Sequence, residues 1–148
     1  MRKLVGLCVV AIAVTGTGAA QTAAAGDEKS YWIGEGDARG SSIDFVISRG
    51  KVRELETFSG KTRCSEGSKV NMGRGWDPIK LSDNAFEERV NTGSPSFVAG
   101  HIRGSKASGR IRHKTTWHED EFCDSGFIRW EADQVTREEW QDAHSSSR

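Results

Sequence analysis

Cys123-Asp124-Ser125-Gly126-Phe127-Ile128-Arg129-Trp130-Glu131-Ala132 sets a cysteine, a turn and a strand in direct succession. Ile128, Trp130 and Ala132 alternate with Arg129 and Glu131, the period of a half-buried strand. Asp124-Ser125-Gly126 reads as a tight turn in which the Asp124 carboxylate accepts a hydrogen bond from its own backbone. Outside an apolar leader the only other cysteine is Cys64, so this segment is expected to tie the end of the chain to its middle.

Upstream, the same alternation recurs between turn residues. Ile43, Phe45 and Ile47 form one strand, and Arg49-Gly50 turns the chain into Lys51 to Phe58, where a slip in alternation predicts a bulge near Arg53-Glu54. Ser59-Gly60 reads as another turn before Lys61 to Cys64. Ser65 to Pro78 is rich in glycine and polar residues and reads as a long loop carrying Trp76. Ile79 and Leu81, Phe86 to Val90, Phe97 to Ile102 and Ser108 to Trp117 complete the series, with a turn at Asp83-Asn84. The expected fold is all-β, an antiparallel sandwich or closed barrel of about eight or nine short strands.

Downstream, Thr136-Arg137-Glu138-Glu139 fits a capping box, with Val135 and Trp140 at the positions of a hydrophobic staple. A short helix from Arg137 to Ala143 is expected.

At the other end, Met1-Arg2-Lys3, the apolar run Leu4 to Val14 and the small residues before Ala20 and Ala25 form a secretory signal peptide, too short for a membrane span. Cleavage is expected after Ala20, with Ala25 the alternative. Cys8 lies inside the apolar run, which argues against a lipoprotein site. The expected organisation is a signal peptide at 1–20, a disordered lead-in at 21–30, a β domain at 31–134 and a tail at 135–148. Losing Arg2 and Lys3 from the 21 basic residues leaves 19 against 21 acidic, a net charge of −2 that argues against a nucleic-acid binder. Export to a secreted or periplasmic location makes a structural Cys64–Cys123 bridge the expected state of the two thiols.

Gly100-His101-Ile102-Arg103-Gly104, then Ala107-Ser108-Gly109-Arg110-Ile111-Arg112, then Cys123 to Ala132 stand in a fixed order, with Cys64 and Asp83-Asn84-Ala85-Phe86 upstream. That order resembles small secreted bacterial all-β domains of unassigned function. The resemblance implies the fold and the disulfide and no activity. The chain departs from the pattern around His118 to Glu121 and in its tryptophan-bearing tail.

Chemistry is sparse. Asp124-Ser125-Gly126 lacks the following residues, the separate histidine motif and the chain length of a trypsin-like protease. His113, His118, Glu119, Asp120, Glu121 and Asp124 are the densest set of possible metal ligands. Their spacing fits a solvated hairpin tip better than a calcium loop, and no metal or other cofactor is expected. Arg110, Arg112 and Lys114 share one strand face, a basic stripe that Glu54, Glu56, Glu87 or Glu88 can neutralise across the sheet. Of five tryptophans, Trp117 and Trp130 fall at buried strand positions, whereas Trp76 and Trp140 are candidates for exposure.

The expected function is a non-catalytic binding or envelope-associated module, with Trp76, Phe127, Arg110, Arg112 and Lys114 as candidate binding surface. Its partner is a cell-envelope glycan, an anionic polymer or another secreted protein. A glycan-binding module using exposed tryptophans and a small hydrolase using a carboxylate pair are the alternatives.

Overall fold

The computed structural model describes residues 28–117 and 120–145, so the expected signal peptide, His118 and Glu119 lie outside the described residues. Ten strands and one helix follow in order: β1 (Ser30–Gly36), β2 (Ser41–Ser48), β3 (Lys51–Arg63), β4 (Lys69–Gly75), β5 (Ile79–Lys80), β6 (Ala85–Val90), β7 (Ser96–Arg103), β8 (Lys106–Trp117), β9 (Glu121–Asp124), β10 (Ile128–Val135) and α1 (Arg137–Ser145). The strands form an antiparallel sheet in the order β4-β3-β2-β1-β10-β8-β7-β6. β5 pairs with β3 and turns through Asp83-Asn84 into β6, which brings the β6 end of the path back to β3. The architecture is therefore one curled sheet, not two stacked ones.

Turn chemistry sets much of this path. Arg49 and Gly50, and again Asp83 and Asn84, take positive φ at both central positions of two-residue hairpins, the geometry that matches strand twist. A bulge stands where alternation slips: Asp44 faces Glu56 but Val46 faces Arg53, and Glu54 has φ 49°. Ser59-Gly60 is a correction. β3 runs straight through it, with a register shift against β4 between Phe58 and Lys61. Gly60 sits at φ 68°, and a Cβ there would lie 2.4 Å from the Arg39 carbonyl oxygen. Glycine here permits a bend and a close approach of two backbones, not a reversal.

Two further segments differ from expectation. Ser65 to Pro78 is not one long loop: it contains β4, whose buried Met72 and half-buried Val70 are a short alternation hidden among glycines. Cys123 to Ala132 joins two strands, where a cysteine, a turn and a single strand are expected. β9 pairs with Lys114 to Trp117 and β10 with Lys106 to Ile111, so the two follow each other along the same edge of β8. The Asp124-Ser125-Gly126 turn steps the chain between them.

Inside the curl, Ile128, Trp130 and Ala132 share the inner face as expected, and Trp32 is buried with them. Phe45 stacks on Trp32 at 5.7 Å and meets Phe86 and Trp130 edge-on at 5.7 and 6.1 Å. Fully burying such side chains stabilises the fold by about 1.5–3 kcal/mol each. Space for the Trp130 indole comes from Gly109, where a Cβ would stand 2.6 Å from the ring and 1.9 Å from the Ala99 carbonyl oxygen. At the other end Cys64 and Cys123 form the disulfide across an antiparallel bridge.

The helix docks on the outside of β1. Its capping box is complete: the Thr136 N–H donates to Glu139 Oε2 at 2.8 Å and the Glu139 N–H to Thr136 Oγ1 at 3.2 Å. Trp140, expected to be exposed, is buried against Tyr31, ring centroids 5.8 Å apart. No helix among the described residues is long and apolar enough to cross a membrane.

Candidate functional site

Strand alternation divides β8 into two chemistries. Ala107, Ile111 and His113 point inward, while Arg110, Arg112 and Lys114 share the outer face as the sequence predicts. Sheet register then adds neighbours that the sequence alone does not. Arg89 of β6 faces Phe97 of β7, Phe97 faces Arg112 of β8, and Phe127 lies one residue before the Ile128–Ile111 pair. A row of cation, aromatic, cation and aromatic thus crosses four adjacent segments at one level.

Contacts bear out the row. The Arg89 guanidinium lies 5.0 Å from the Phe97 ring, Phe127 meets Phe97 edge-on at 5.6 Å, and Arg112 and Arg110 lie 5.1 and 5.3 Å from Phe127. Each such cation–ring contact at a wet surface contributes about 0.5–1 kcal/mol. Lys114 extends the row to Phe122 at 5.9 Å. Phe127 and Phe122 keep 51% and 47% of their surface in solvent, the two large exposed apolar side chains among the described residues. Phe97 is buried beneath its neighbours.

Asp124 anchors the arrangement. Arg112 donates to both of its oxygens, from Nε at 2.9 Å and from the second guanidinium nitrogen at 2.5 Å, while Lys114 stands 3.6 Å away. The Gly126 N–H also donates to Asp124 at 2.9 Å, the expected backbone turn. The Arg112 hydrogen bonds, against some opposing burial, pull the Asp124 carboxyl down to about 2. Asp124 on the next turn therefore neutralises the Arg112 end of the stripe, and among the described residues no glutamate from another strand pairs with it. Glu54 pairs with Lys29 instead.

Beside Phe127 is a small cavity of about 140 Å³ lined by Arg89, Ser96, Phe97, Arg112, Lys114 and Phe127 among others, with no carboxylate in its wall. Arg110 also borders a wider groove of about 710 Å³, whose walls bring Glu35, Asp37 and Glu131 together with Arg129. All three acidic residues there are exposed, and Asp37 accepts the Arg129 N–H at 3.1 Å.

Trp76 does not belong to this surface, which corrects the expectation that it is exposed. It is buried, and its indole N–H donates to Thr57 Oγ1 at 2.9 Å. Thr57 in turn meets His113 Nε2 at 3.1 Å, and Ser96 Oγ meets His113 Nδ1 at 3.2 Å. Since Ser96 donates onward to the Ser94 carbonyl, the network is satisfied by a neutral imidazole whose Nδ1–H donates to Ser96. Burial, reinforced by the charge of Arg74, pushes His113 down to about 4.

The metal-ligand cluster does not assemble as a unit. His113 points inward, whereas Asp124 is engaged with Arg112 on the outer face. Glu121, expected on a solvated tip, is buried in β9, where its carboxylate accepts the Ser68 N–H at 3.0 Å. No three His, Cys, Asp or Glu side chains converge as metal ligands among the described residues. The Trp117 side chain lies outside the description.

Arg89 and Phe97 were missed by sequence reasoning. Each is an ordinary strand residue in the chain, and only the pairing of β6 with β7 and of β7 with β8 places them beside Arg112. Comparison with protein-family models, characterised proteins and solved structures returns no match.

Proposed function

We propose that this chain is an extracytoplasmic, non-catalytic binding module that acts at or within the cell envelope. The observation that carries the reading is Phe127, an apolar ring left half in solvent while Arg110 and Arg112 frame it. An exposed aromatic in a fixed cationic setting is an anchor of the kind that dominates binding interfaces. Its binding face is the outer side of β6, β7 and β8 with the turn at residues 124–127. The leader and the disulfide agree with an oxidising, extracytoplasmic setting. The resemblance to small secreted bacterial β domains belongs to the same proposal.

Glycan recognition through exposed tryptophans loses its basis, because Trp76 and Trp140 are both buried. An aromatic platform on this surface has to use Phe127. The groove holding Glu35, Asp37 and Glu131 is the feature that favours a carboxylate-pair hydrolase. A general acid works best shielded from water, and these side chains are exposed, so the groove supports that reading less well.

Cosedimentation of the oxidised protein with purified envelope fractions tests the binding reading. Saturable pelleting that is lost in Phe127→Ala and Arg110→Gln, with both variants still folding cooperatively, is expected. Pelleting that both variants retain would remove the face from the proposal, and no pelleting with any fraction would remove the function.

A further inference from the structure

We infer that the ligand of this face is an acidic sugar, a carboxylate-bearing pyranose carried in an anionic polysaccharide. The inference rests on the binding-module reading above and deepens it. Two features lie side by side and call for different chemistry.

The first is the cavity next to Phe127. Arg89, Arg112 and Lys114 line it and no carboxylate does. Arg112 is largely satisfied by Asp124, which fixes its guanidinium plane and leaves it as a rigid wall. Arg89 has no ion-pair partner among the described residues, and Lys114 has only the longer contact to Asp124. Two cations are therefore available to an incoming anion. At about 140 Å³ the space is well below the roughly 300 Å³ of sites that enclose a whole small molecule. It admits an acid group and leaves the rest of the ligand outside.

The second feature lies where that remainder must sit. Phe127 keeps half of its surface in solvent and lines the same cavity. A pyranose has an apolar C–H face that stacks on such a ring, and a carboxylate on its rim would then reach Arg89 and Lys114. A free inorganic anion would use the cations and leave Phe127 idle. A neutral sugar would use the ring and leave the cations unpaired. An acidic sugar engages both, and Arg110, which lies over the same ring, adds a further cation beside it.

Calorimetric titration of the oxidised protein with polygalacturonate, with the same polymer after reduction of its carboxyl groups, and with dextran sulfate tests this directly. Saturable binding to polygalacturonate is expected, weakened about tenfold or more by carboxyl reduction, Phe127→Ala or Arg89→Gln, a factor equivalent to about 1.4 kcal/mol. Both variants should still unfold cooperatively, with melting lowered only by the ring contacts they lose. Equal or tighter binding of dextran sulfate, insensitive to Phe127→Ala and abolished by moderate salt, would mean polyelectrolyte attraction only and would overturn the inference. Absence of polysaccharide binding while envelope fractions still pellet the protein would overturn the acidic sugar and leave the binding module standing. Loss of both would overturn both.

Discussion

Two regions of this molecule are each built round a histidine, and they answer to pH in opposite senses. His113 lies inside the curl near the disulfide, held neutral between Thr57 and Ser96. His144 lies near the end of α1, with Nδ1 donating to the Trp140 carbonyl at 2.8 Å and Nε2 to Asp44 at 2.6 Å, an arrangement that uses two N–H groups and so favours the imidazolium. Burial lowers the pKa of His144, but the Trp140 carbonyl and Asp44 outweigh it and the net shift is upward. Burial also raises Asp44, only partly offset by His144, so this carboxylate is held at some cost. The difference teaches that the same side chain is a neutral link, donating at one nitrogen and accepting at the other, where its partners are hydroxyls, and a charged latch where they are a carbonyl and a carboxylate.

The largest expected effect removes the closure of the His113 region. The disulfide spans 59 residues, and Cys64→Ser should cost roughly 2–5 kcal/mol in denaturant unfolding, near 4 in the chain-entropy model. Unchanged stability would show that the strand pairing of β9 with β8 closes this end unaided. Next in size is acid. Because folding holds His113 at about 4 against 6.5 in the unfolded chain, its contribution is complete above pH 6.5 and lost as pH falls toward 4. Over that interval the loss amounts to about 3 kcal/mol, and His113→Gln should flatten the profile there. A profile that stays steep in His113→Gln would place the acid sensitivity elsewhere. Asp124 acts in a separate, lower window, its contribution being lost as pH falls from 3.8 through about 2.

Smaller effects belong to the helix. Thr136→Ala breaks one arm of the capping box and should cost about 1 kcal/mol, seen as faster amide exchange confined to α1. Exchange that accelerates throughout the sheet would mean helix and sheet form one cooperative unit. Smallest is the latch: the pair is part-buried, exposed more on the histidine side than on Asp44, and His144→Gln should lose less than about 1 kcal/mol. Its sign is opposite to that of His113. With the folded pKa raised, the stabilisation is present below pH 6.5 and lost as pH rises, so protection of the α1 amides, corrected for their base-catalysed intrinsic exchange, should fall in alkaline buffer in the parent and change little in the variant.

Much of the fold was legible in the chain. Alternation marked most strands, paired turn residues marked the hairpins at Arg49-Gly50 and Asp83-Asn84, and the capping box marked the helix, because each signal is local. Reading failed where a local signal has two physical meanings. A glycine after a serine is a turn or a bend, and Gly60 became a bend because β4 pairs across it. Trp76 stands in a glycine-rich stretch that reads as loop, yet the end of β4 carries it to Thr57.

The candidate site divides in the same way. That Arg110, Arg112 and Lys114 share a face followed from strand period alone, and Phe127 stood out as an apolar residue just after a turn. Their assembly with Arg89, Phe97 and Asp124 depends on register between strands, which no local pattern encodes. The sequence by itself determined which residues alternate, where the chain reverses, which cysteines remain to pair and how the helix begins. Only the tertiary structure decided which tryptophans are buried, which carboxylate neutralises the stripe and which aromatic ring is left in water. Those choices depend on contacts between segments far apart in the chain, where packing and register outweigh local preference.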